Sequence, residues 1–126
     1  MVNYPVGDFL VRIKNGAMAG NREFEVVNTK FINSVAKALV RTGYLEEAKL
    51  TEDNNLCVRL RYHKKEPLLM DIKLVSKPGM RVYMNRDELS KKRGASIYII
   101  STPDGVLSSR EALKKGIGGE VIAEIW

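Results

Sequence analysis

Two hydroxyls, Ser101 and Thr102, close the apolar run ASIYII just before Pro103-Asp104-Gly105. Proline and glycine around an aspartate force a tight turn, which presents both hydroxyls at the rim of the strand before them. Such a pair can bond the polar edges of a ligand, or can simply cap the turn. Nucleophilic catalysis has little support. None of Ser101, Ser108 and Ser109 lies in a Gly-x-Ser-x-Gly context, and the one histidine, His63, sits in the distant polar turn HKKEP, where it reads as an exposed turn residue. A single imidazole excludes any site needing two, and a single thiol, Cys57, excludes an internal disulfide. With no base near it in sequence, Cys57 reads as a small inert residue. The acid pairs Glu46-Glu47 and Asp87-Glu88 are adjacent, so their carboxylates diverge. The glycines of GIGG lack the third spaced glycine of a dinucleotide fingerprint and lead into a strand-like run. The reading is therefore no enzyme, no metal and no cofactor.

Charge points elsewhere. The chain carries 21 Lys+Arg against 15 Asp+Glu, a formal net charge of +6, which favours a polyanionic partner. The excess is +3 in each half, but residues 73–93 concentrate it. There Lys73, Lys77, Arg81, Arg86, Lys91, Lys92 and Arg93 face only Asp87 and Glu88. Within MRVYM, Arg81 and Tyr83 fall on one face of an extended chain, so a guanidinium and a phenol can project together, the alternative being a Tyr83 partly buried as a strand aromatic. An RNA surface needs cations for phosphates, planar groups for unstacked bases, and small donors or acceptors for base edges and the 2′-hydroxyl. A basic hairpin over 73–86 supplies the first two, and Ser101 and Thr102 supply the last. Gly118 and Gly119 permit close backbone approach, and Glu120 beside them can accept from base amino groups or orient a neighbour.

The elements that position these groups read as α+β in two small domains, 1–66 and 67–126. Val6, Phe9, Leu10, Ile13 and Ala17 predict a first helix over 5–18, and 24–27 a short strand. Ile32, Val35, Ala36, Leu39 and Val40 predict a second helix, capped by Asn28 or Thr29 and ended by Gly43. Strands follow over 45–50 and 56–62, the latter with Cys57, Arg59 and Arg61 on a basic outer face. The N-terminal order is thus αβαββ. Beyond Pro67, the runs LLMDIKLV, MRVYM, ASIYIIS and EVIAEIW predict a mostly antiparallel β domain. Its one helix signal is the capping box from Ser108 to Glu111, closed by Gly116, while NRDELSKKRG reads as a connection. Trp126 is expected to pack internally. No apolar run is long enough for a membrane span, and no signal-peptide pattern opens the chain.

Several of these stretches together carry a resemblance. VSKPGMRVY and ISTPDGVLSSREALKKGIGGEVIAEIW, with DFLVRIKNG near the start and TGYLEE after the second helix, resemble the bacterial-type small-subunit ribosomal protein eight family, in order over nearly the whole chain. The resemblance implies a two-domain α+β protein of the ribosome, in the cytoplasm or an organelle. It would bind small-subunit ribosomal RNA directly, at an irregular helix of the central domain, and help nucleate assembly there. It implies RNA-binding roles for Ser101, Thr102 and Gly105 of the hydroxyl loop and for Gly118, Gly119 and Glu120. It implies the same for Lys77, Arg81 and Tyr83 of a basic strand-loop and for Lys30 opening the second helix. Lys73 and Arg86 are expected to join the phosphate contacts. The family loop usually reads Ser-Thr-Ser-x-Gly. Here Pro103 removes a hydroxyl and an amide donor, Asp104 puts an acid where a base is common, and Ser96 stands where glycine is usual. The implied partners are ribosomal RNA and neighbouring small-subunit proteins, with a monomer off the ribosome and no membrane. An alternative is repression of translation through a messenger RNA that mimics the same site, since one surface serves both.

Overall fold

The computed structural model describes residues 4–126, so residues 1–3 of the first expected domain lie outside the described residues. The chain divides into two compact units, Pro5–Met70 and Asp71–Trp126 with Tyr4. The division falls a few residues past Pro67. Glu66-Pro67 pairs with Tyr62-His63, and the Leu68 amide donates to the Arg61 carbonyl, which keeps this stretch with the first unit.

In the first unit, α1 (Pro5–Ala19) buries Val6, Phe9, Leu10, Ile13 and Ala17, the stripe its 3.6-residue period requires. Helix α2 (Lys30–Thr42) starts where the Thr29 hydroxyl accepts from the Ile32 amide and stops at the left-handed Gly43. The strands β1 (Glu23–Val27), β2 (Leu45–Leu50) and β3 (Asn55–Leu60) form an antiparallel sheet in the order β1-β3-β2. Leu56, Val58 and Leu60 are buried and alternate with Cys57 and Arg59. The strand expected to run to residue 62 ends at Leu60. Tyr62–His63 (β4) and Glu66–Pro67 (β5) make a separate two-stranded hairpin.

The outer face of that sheet is not the cationic surface its sequence suggests. Arg59 lies 3.0 Å from Glu23 Oε2 and 3.6 Å from Glu47, and Lys49 lies 3.0 Å from Glu47. These pairs cancel the positive field. The Cys57 thiol donates to Glu23 at 3.4 Å, and its pKa is pushed up by burial and then by that carboxylate, so little reactive thiolate forms at neutral pH.

In the second unit, β10 (Gly119–Ile125) is the central strand of a sheet ordered β6-β10-β8-β9, comprising β6 (Ile72–Leu74), β8 (Ile97–Thr102) and β9 (Gly105–Ser108). The strand β7 (Tyr83–Met84) also pairs with β10. The expected 73–86 hairpin therefore does not form. Both β6 and β7 are antiparallel to β10, at its two ends, because β8 occupies its other edge. Only Lys77 and Met80 bridge locally.

Two further elements depart from the sequence reading. The connection NRDELSKKRG contains a helix, α3 (Arg86–Ser90), capped by a reciprocal Asn85–Glu88 box. Gly105–Ser108 is a strand because Pro103-Asp104 makes a hairpin turn and lets Val106 pair with Ser101. Helix α4 (Ser109–Lys115) has the predicted Ser108–Glu111 box and ends at Gly116. Leu89 of α3 and Ala112 of α4 pack on Ile100, Leu107 and Val121 of the sheet. Trp126 is 39% exposed rather than internal, while its backbone exchanges hydrogen bonds with Asp71. Among the described residues, no helix is long and apolar enough to cross a membrane, and no group of three or more His, Cys, Asp or Glu could hold a metal ion.

Candidate nucleic-acid interface

Glu120 lies opposite Tyr83 on one edge of β10 and opposite Ser101 on the other. Directly opposed residues of antiparallel strands share a face about 5 Å apart. A phenol, a carboxylate and a hydroxyl therefore stand in one row across three strands. Tyr83, on an edge strand, is 66% exposed. Its neighbour Met84, one residue on, packs to the opposite side against the helix cluster. The alternation that the sequence predicted for Arg81 and Tyr83 is thus what aims the phenol outward.

The acid in this row is balanced. An Arg81 nitrogen donates to Glu120 Oε2 at 3.2 Å, and its guanidinium lies 5.3 Å above the Tyr4 ring. The Tyr4 hydroxyl donates to the Ser76 carbonyl at 3.0 Å, and burial, opposed by Arg81, pushes its pKa up. Ser76 is fully buried. Its hydroxyl accepts from the Val82 amide at 2.9 Å and donates to the Val82 carbonyl at 3.3 Å. That carbonyl also accepts from the Val121 amide at 2.8 Å, so the Arg81–Tyr83 segment is held flat beside β10. Tyr4 and Ser76 escaped sequence reasoning because their roles come from contacts with residues far along the chain or in an irregular connection.

The two hydroxyls of the loop divide their work. Thr102 donates to the Gly105 carbonyl at 2.7 Å and accepts from the Asp104 amide at 3.1 Å, so it braces the turn. The Ser101 hydroxyl has no hydrogen-bond partner among the described residues, which leaves it available beside Glu120. Gly105 (φ 109°) closes the two-residue turn in a region that side chains disfavour. Asp104, the acid in place of a common base, lies 3.8 Å from Lys115.

Gly118 and Gly119 do permit a close approach, but of the protein to itself. A Cβ on Gly118 would collide with the Met84 carbonyl and Asn85, and one on Gly119 with the Ser101 carbonyl. Their bareness lets β10 fit between β7 and β8.

The cations distribute unevenly. Lys77 is exposed in the Pro78-Gly79 turn, where its backbone exchanges two 2.9 Å bonds with Met80. Arg86 is exposed at the first position of α3, with its nearest acid, Asp87, at 3.9 Å. Lys73 stands elsewhere. It lies opposite Glu124 in the strand register at the far end of β10, on the face where Tyr98 joins the helix cluster. That is roughly 13 Å along the strand from Glu120, at about 3.3 Å per residue. Lys30 is exposed at the start of α2 in the first unit. Ser96 has a use of its own: its hydroxyl donates to Glu124 and accepts from Lys92, both at 2.6 Å.

The family model for Ribosomal protein S8 matches residues 4–126. The small ribosomal subunit protein uS8 of Hydrogenovibrio crunogenus is 40% identical over 125 residues, spanning 96% of this chain and 95% of that one. Its counterpart in Enterococcus faecalis is 40% identical over 127 residues, spanning 97% and 96%. That of Nitratiruptor sp. is 37% identical over 134 residues and spans both chains completely.

Proposed function

The chain belongs to the ribosomal protein S8 family, and on that premise we propose that the Tyr83–Glu120–Ser101 row is the surface by which it recognises ribosomal RNA. The protein is a structural, non-enzymatic constituent of the small ribosomal subunit. The observation that carries the proposal is the register of β10, which sets a stacking ring, an acceptor and a hydroxyl side by side. Tyr83 stacks on an unpaired base of an irregular helix in the central domain of the small-subunit RNA. Ser101 and the free carboxylate oxygen of Glu120 bond base edges and the 2′-hydroxyl. Arg81 keeps Glu120 neutralised and adds, with Lys77 and Arg86, attraction to phosphates. Thr102, Gly105, Gly118 and Gly119 set the shape of this rim rather than touching RNA through side chains. Recognition resides in the second unit, the protein acts as a monomer before assembly, and binding helps nucleate the surrounding part of the particle. A messenger RNA presenting the same internal loop would occupy the same rim.

Affinity measurements on an RNA fragment containing that helix test the reading. Tyr83→Ala is expected to lose about 1–3 kcal/mol, the worth of one base stack, with the fold intact. An affinity unchanged within a few tenths would make Tyr83 a bystander.

A further inference from the structure

The β4–β5 hairpin belongs to neither larger sheet, and its turn carries Lys64 and Lys65 between the pair His63 and Glu66. Arg61, His63, Lys64 and Lys65 are all exposed, and no ion pair engages Arg61, Lys64 or Lys65 among the described residues. Glu66 is the single acid of this stretch. The stem is braced: the Arg61 amide donates to the Tyr44 carbonyl at 3.2 Å, and the Arg22 guanidinium sits 4.7 Å over the Tyr62 ring. Lys64 holds φ at 54°, a left-handed conformation that suits glycine far better than lysine. Strain of this kind collects where function keeps the side chain. Lysine ammonium groups act as point charges that grip phosphate without reading base edges.

Resting on the RNA-binding reading above, we propose that this hairpin is a second RNA contact, which holds phosphates of the ribosomal RNA outside the loop recognised by the rim. The full chain is titrated with two RNAs: a short one holding only the irregular helix, and a longer central-domain transcript. Lys65→Gln and Lys64→Gly are each expected to weaken the longer transcript about two- to fivefold, the range of an exposed ion pair. Each should also lower the slope of log affinity against log salt by roughly 0.7 to 1. The short RNA should be unaffected. Lys64→Gly should melt at the same or a higher temperature, since it relieves the left-handed strain; a purely structural lysine would not pair unchanged stability with weaker binding. Three outcomes would overturn the hairpin contact and leave the rim reading standing, provided Tyr83→Ala still weakens both RNAs. These are unchanged affinity for the longer transcript, equal losses on both RNAs, or loss of a neighbouring small-subunit protein with RNA affinity retained. If Tyr83→Ala is also silent, both readings fail.

Discussion

Ser101 and Thr102 look equivalent in the sequence, yet only one hydroxyl is spent on the turn. Ser101→Ala is expected to weaken RNA binding by about 1 kcal/mol, one neutral hydrogen bond, while leaving the unfolding midpoint in urea nearly unchanged. Thr102→Ala should do the reverse, lowering stability more than it lowers intrinsic affinity. Gly119→Ala places a methyl against the Ser101 carbonyl and should destabilise the fold by about 2–4 kcal/mol in urea unfolding, as overpacking against backbone does. Wild-type stability in that variant would mean the strands part easily there. At this scale the sequence was informative about residue type. The shared face of Arg81 and Tyr83 followed from alternation alone, whereas the exposure of Tyr83, 66%, is settled by the fold. The Arg81–Tyr4 stack and the Ser76 bridge could not be foreseen, because no local pattern marks a partner supplied from the chain's start or from an irregular turn.

Elements show where local signals compete with pairing at long range. Helices α1, α2 and α4 were legible from apolar spacing and caps, and their termini fall close to the expected residues. Helix α3 was missed although Asn85 and Glu88 stand at capping-box spacing, since its five residues bury only Leu89 and show no apolar period. Asn85→Ala should lower stability by about 1 kcal/mol, measurable by urea unfolding. The strands β6 and β7 were paired wrongly because adjacency in sequence suggested a hairpin, while β10, some forty residues on, satisfies both. The outer face of β3 follows a similar logic: Arg59 looks like a free cation until Glu23 and Glu47 arrive from neighbouring strands. Hydrogen bonds from Arg59 and Lys49 hold the Glu23 and Glu47 carboxyls below the usual range. Their folded pKa values are lowered, so the stabilisation is present above the ordinary carboxylate pKa and fades as pH falls below it. Glu23 is exposed and Glu47 half-exposed, so acid titration of Glu23→Gln should differ from the parent only slightly, and only at the acid end.

For the molecule as a whole, the charge excess and the α+β order were readable, and the likeness to the ribosomal protein S8 family is supported across residues 4–126. The division into units was less legible, because the Tyr62–Pro67 hairpin ties polar, turn-like residues back to the first unit. Affinity for RNA should fall steeply with salt, and Arg86→Gln should reduce the slope by about one without changing the preference for an internal loop over a plain duplex. The most direct measurement is an NMR titration of backbone amides with the irregular-helix RNA fragment. Perturbations are predicted at residues 81–83, 101–102 and 119–121, lying together across β7, β10 and β8. Perturbations confined to α4 and the Lys73–Glu124 end of the sheet would contradict the account, because recognition would then use the opposite face.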